Sequence, residues 1–160
     1  MRTTPILLIA PLLLCACGGP SGKPAETKSP APVAKAPTKP APEDMRFPSA
    51  GRVEVVQVAE PLYGKPFLGG GNIARYKLGK KEYELFLIKA PSPAEPGVMI
   101  FDYKKVLANA KFVAHFGGYA GQDAGVEVFV FTKGVWLAGV RGLPLAEADP
   151  LAREFAARLN

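Results

Sequence analysis

Nucleophilic chemistry beyond residue 44 would have to start from very few side chains: the hydroxyls of Ser49, Ser92 and Thr132 and the sole histidine, His115. A histidine base needs a nucleophile within hydrogen-bond reach. Ser49 follows Pro48 and Ser92 sits between Pro91 and Pro93, and neither lies in a Gly-x-Ser-x-Gly elbow, so both read as loop residues. His115 reads as an edge histidine on a strand facing Val113, with proton transfer or metal ligation as the sharper alternative. One histidine cannot build a multi-histidine catalytic zinc site. Glu82 and Glu84 share a strand face, as paired carboxylates for glycoside chemistry would, but Lys80 and Lys81 beside them indicate a solvated strand end. Gln122-Asp123-Ala124-Gly125 lacks the repeated Asp and Asn ligands of a calcium loop and reads as a turn. No catalytic residue, metal ligand set or cofactor is assigned, and the chain reads as non-enzymatic, with an envelope hydrolase working through His115 as the third function considered.

Cations give the positive signal. Arg75, Lys77, Lys80 and Lys81 crowd into one stretch, and Lys104, Lys105 and Lys111 form a second group. Brought together, they would suit anionic headgroups or wall phosphates; as separate solvated side chains they would do nothing specific. Gly69-Gly70-Gly71-Asn72 has the composition of an anion-cradling nest ahead of a helix near Ile73. It lacks the Gly-Lys-Ser or Gly-Lys-Thr of a P-loop and reads instead as a tight turn. The formal net charge of the 160-residue chain is +6, which does not call for nucleic acid as a partner.

Upstream, Met1 and Arg2 supply positive charge and Ile6 to Leu14 form an apolar run of signal-peptide length, too short to span a bilayer. It ends in Leu14-Cys15-Ala16-Cys17, an aliphatic residue, a variable one, a small one and a cysteine. This stretch resembles the signal of bacterial lipoproteins. The resemblance implies removal of residues 1–16, diacylation of Cys17 and a mature chain held to a membrane by lipid. Cys15 would leave with the signal, so no disulfide framework is expected. Gly18 is not the aspartate of an inner-membrane retention signal, which in a two-membrane cell implies the outer membrane, facing the periplasm.

From residue 17 to residue 44 the composition turns to Pro, Ala, Lys, Ser and Thr, with no aromatic residue and too little apolar surface for a core. Such a linker favours polyproline II and could reach on the order of 80 Å. It would confine the downstream domain near the membrane and raise its local concentration there.

Residues 45–160 suffice for one globular domain. Arg52 to Val58 and Tyr83 to Lys89 read as strands, the second apolar on both faces. A short element is expected over Ile73 to Leu78, a short helix capped by Asp102 with Tyr103, Val106 and Leu107 on one face, and a strand over Lys111 to Gly117. Val126 to Phe131 and Val135 to Val140 flank Thr132-Lys133-Gly134 as a hairpin. Asp149-Pro150 suggests the start of a terminal helix buried along Leu151, Phe155 and Leu159. The expectation is an α+β fold: one small domain, mainly antiparallel sheet covered by short helices that include a C-terminal amphipathic one.

Leu68 to Tyr76 and Val126 to Leu143 are also similar to exported bacterial domains of uncharacterised function, a likeness that implies no reaction. Strands apolar on both faces, with few helices to cover them, predict sheet surface left for a partner. The functional expectation is therefore a membrane-anchored envelope lipoprotein whose domain binds an envelope protein or itself. A binding module for an anionic envelope polymer or lipid is the alternative.

Overall fold

Alternation of apolar side chains on both sides of the central strands dictates a sheet that must be covered twice. The structure, a computed structural model, describes residues 43–160. Residues 1–42, with Cys17 and nearly all of the expected linker, lie outside the described part. Seven strands form one antiparallel sheet: β1 (Arg52–Val58), β2 (Gly71–Leu78), β3 (Lys81–Lys89), β4 (Ala108–Val113), β5 (Gly118–Asp123), β6 (Val126–Lys133) and β7 (Trp136–Arg141). Their spatial order is β1-β2-β3-β7-β6-β5-β4, two meanders joined side by side at β3 and β7. Helix α1 (Glu95–Val106) carries the chain from β3 to the far edge, and α2 (Leu145–Ala157) follows β7. The fold is a single small α+β domain, as the pattern of strands and a closing helix implied.

The two helices lie on opposite faces of the sheet. Tyr83, Leu85 and Leu87 of β3 and Phe129 and Phe131 of β6 pack with Ala148, Ala152 and Phe155 of α2. Phe86, Ile88, Val128 and Val130 point the other way, against Ile100 and Tyr103 of α1 and against Leu62 and Leu68 from the loop after β1. Both faces of the central strands are thus covered, and among the described residues apolar sheet side chains stay exposed on the two edge strands instead, at Val53 and Phe112. The missing cover comes from the loop and from the segment before β1, neither of which has a periodic pattern to reveal it.

That segment is tied down firmly. Phe47 is stacked on Phe155 with ring centroids 5.1 Å apart. The Arg46 guanidinium donates to the carbonyls of Arg158 and Asn160, where the unpaired oxygens at a helix C-terminus favour a cation. It also lies 4.7 Å from the Trp136 ring centroid. A 3-10 turn at Asp44–Arg46 precedes Phe47.

Four local expectations are corrected. Ile73 to Leu78, expected only as a short element, is part of strand β2, so the glycine run has no helix after it for an anion-cradling nest; it serves packing instead, since a Cβ on Gly71 would lie 2.5 Å from the Leu87 carbonyl oxygen. Helix α1 starts at Glu95, with Pro96 in the first turn, where its missing N–H costs nothing. Asp102 is therefore mid-helix and pairs with Lys105, while Val106 is exposed. The strand expected over 111–117 is β4 ending at Val113, followed by a turn at 114–117 that holds His115. Helix α2 begins at Leu145 after Pro144, with Pro150 inside it; Phe155 and Leu159 are buried as expected, and Leu151 only half so.

Candidate functional site

The hairpin between β2 and β3 holds the four cations picked out by sequence and spreads them. Arg75 and Lys77 alternate with buried Ala74 and Tyr76, so they project from the face opposite α2. Arg75 is engaged by both Glu54 and Glu84. Lys77 Nζ is 3.1 Å from Glu82, and Lys81, on the α2 side, is 2.6 Å from Glu147. Lys80 sits in the turn. Three of the four are therefore matched by carboxylates, and the group does not converge on one point. The same pairs occupy Glu82 and Glu84, the carboxylates considered for glycoside chemistry. Arg75, Lys77, Glu82 and Glu84 line part of an open cavity of about 540 Å³ at this end of the sheet, together with Arg141.

His115 is accounted for by geometry as well. Its Nε2 is 2.5 Å from Asp149 Oδ2, and Arg153 Nε donates to the other oxygen of the same carboxylate at 2.6 Å. Arg153 chiefly, with His115 adding to it, holds the Asp149 carboxyl below its ordinary value. Among the described residues no serine or threonine hydroxyl is hydrogen-bonded to His115; Ser92 Oγ instead faces Glu95 at 3.4 Å. The dyad links the β4–β5 turn to α2. No cluster of three or more metal-ligating side chains occurs among the described residues.

A network that sequence reasoning missed is centred on Asp123, read there as part of a turn. It is the last residue of β5 and is 5% exposed. Its Oδ1 accepts from Lys65 Nζ at 2.9 Å, and its Oδ2 accepts from the Tyr103 hydroxyl and from Arg141, each at 3.2 Å. Burial alone would raise its pKa, but these donors outweigh burial and hold the carboxyl below the usual range. Arg141 also lies 4.6 Å from the centroid of the Tyr63 ring, whose hydroxyl donates to Glu84 at 3.3 Å. Tyr63 has φ 53°, a left-handed conformation unusual for a bulky residue. Burial first, then Glu84, pushes its phenol far above the tyrosine value; burial and Asp123 do the same to Tyr103. Both phenols therefore stay protonated at neutral pH, and Asp123 stays ionised with its oxygens taken. The arrangement fastens the loop carrying Tyr63 and Lys65 to α1, β5 and β7.

The second cationic group divides: Lys104 and Lys105 lie on the outward side of α1, beside Phe112 of the exposed edge strand β4, whereas Lys111 of β4 is on the α2 side with Val113 and Ala120. Val98, Phe101 and Phe112 are 62%, 54% and 61% exposed. Lys104 Nζ lies 5.7 Å from the Phe101 ring centroid and 5.2 Å from that of Tyr119, and Tyr119 meets Phe112 at 5.4 Å. Lys105 Nζ lies 5.1 Å from the Phe101 ring centroid. Aromatic rings and ammonium groups thus form one continuous surface. Sequence singled out the lysines but not the rings, whose spacing is equally compatible with a core.

No protein-family model matches the chain, and no curated protein or solved structure matches it.

Proposed function

We propose that this protein is a membrane-anchored cell-envelope lipoprotein whose folded domain serves as a non-catalytic binding module. The observation that carries the reading is Leu14-Cys15-Ala16-Cys17 at the end of a short apolar run with Arg2 before it. The geometry around His115 supports the non-catalytic part, since its imidazole is engaged by Asp149 and no hydroxyl stands beside it among the described residues. An envelope protein remains one partner class. The rings and lysines on α1 and β4 favour the other reading, an anionic envelope component.

The test is mass spectrometry of the protein purified from bacterial membranes. A mature N-terminus at Cys17 carrying a diacylglyceryl group is expected, with retention of the precursor in Cys17→Ala. Cleavage elsewhere with an unmodified thiol would end the anchored reading. Crosslinking in cells, native chain against Cys17→Ala, then separates the partner classes by whether a stoichiometric protein is recovered.

A further inference from the structure

We propose that the outward side of α1, with the neighbouring part of β4, is an interfacial docking surface for an anionic phospholipid bilayer. Two properties of the surface select the occupant. Its exposed apolar side chains, Val98, Phe101 and Phe112, need an apolar phase to enter, which a hydrated wall polymer does not offer. Its cations Lys104 and Lys105, the latter also paired with Asp102, lie against the Phe101 ring and match anionic headgroups at the depth where Phe side chains enter a bilayer. A second copy is disfavoured on the same grounds, because a two-fold contact would set lysines against lysines. Edge-to-edge pairing through β4 is blunted too: the strand carries an irregularity between Ala108 and Lys111, with Asn109 at φ 55°.

The proposal rests on the envelope reading for the place where the domain would meet such a bilayer. A tether alone would leave the domain's orientation free. This surface would lay α1 against the membrane and turn the α2 face away from it.

The experiment uses the chain from residue 17 onward with Cys17→Ser, so that no acyl group contributes, in co-sedimentation with protein-free vesicles. Binding to phosphatidylglycerol-containing vesicles but not to pure phosphatidylcholine is expected, weakening as salt rises. Phe101→Ser with Phe112→Ser should reduce partitioning by about tenfold. Lys104→Gln should reduce it by about fivefold, while Lys80→Glu and Lys111→Gln, on β4 but on its α2 side, should leave it nearly unchanged. These side chains are exposed, and circular dichroism verifies that each variant is folded. Binding lost in Lys80→Glu but kept in the α1 and β4 variants would overturn the proposal. So would binding to native membranes but not to protein-free vesicles, which would name a membrane protein as the occupant. Absence of vesicle binding by the Cys17→Ser chain, with the native protein acylated, overturns the surface and leaves the anchor standing; vesicle binding with an unmodified Cys17 does the reverse.

Discussion

Lys65 Nζ and Asp123 Oδ1 are 2.9 Å apart, and both side chains are largely withdrawn from water. The pair connects a loop without regular structure to the end of a strand, so the cover over one sheet face depends on it. Asp123→Asn would leave Lys65 and Arg141 without their counter-charge and should destabilise the fold by about 3 kcal/mol. Urea denaturation at neutral pH measures this.

The same carboxylate gives a pH dependence of known sign. Its folded pKa is lowered, so the unfolded chain binds a proton more readily. The associated stability is present above the ordinary carboxylate value, about 3.9, and is lost as pH falls through the folded value. Acid denaturation followed by circular dichroism should show a shallower slope below about pH 4 in Asp123→Asn than in the native chain.

Gly139 in β7 lies under the Phe86 ring, where an added Cβ would overlap two of the ring carbons. Gly139→Ala should therefore cost about 1–3 kcal/mol through overpacking. Combination with Phe86→Leu should cost less than the sum of the two single changes, as a double-mutant cycle in thermal denaturation would read.

His115→Ala removes one of two partners from Asp149 at a half-exposed site. Stability should change by less than about 1 kcal/mol. A hydrolytic activity of the purified protein that vanished in this variant, with unfolding unchanged, would contradict the non-catalytic reading.

Lys81→Glu would place two carboxylates together across the β3–α2 contact in place of the pair with Glu147. A loss of up to about 1 kcal/mol is expected, diminishing in high salt. Thermal melts at two ionic strengths test it.

What was legible in the sequence was periodic. Strands β1, β3, β6 and β7 alternate apolar and polar residues or run apolar throughout, and all four are present. Strand β5 escaped because Gly118 and Gly121 interrupt its pattern. The start of helix α1 is hidden because Pro93 and Pro96 fit a loop as well as a first helical turn, and that of α2 because Asp149-Pro150 imitates a helix start within a helix already running. The Asp123 network draws on Lys65, Tyr103 and Arg141, which are far apart along the chain, and no local spacing announces such a meeting. Phe101 and Phe112 were silent for a different reason: their types fit a core, and only the placement of α1 and β4 turns them outward.

The stacking of Phe47 on Phe155 and the grip of Arg46 on the last carbonyls have a mechanical consequence. Tension applied through the preceding segment, with the domain held elsewhere, reaches this clasp before it reaches β1. Rupture then requires the ring and the guanidinium to leave together. Only afterwards can the load peel β1 from β2, pair by pair, so the clasp acts as a fuse that protects an edge strand from unzipping.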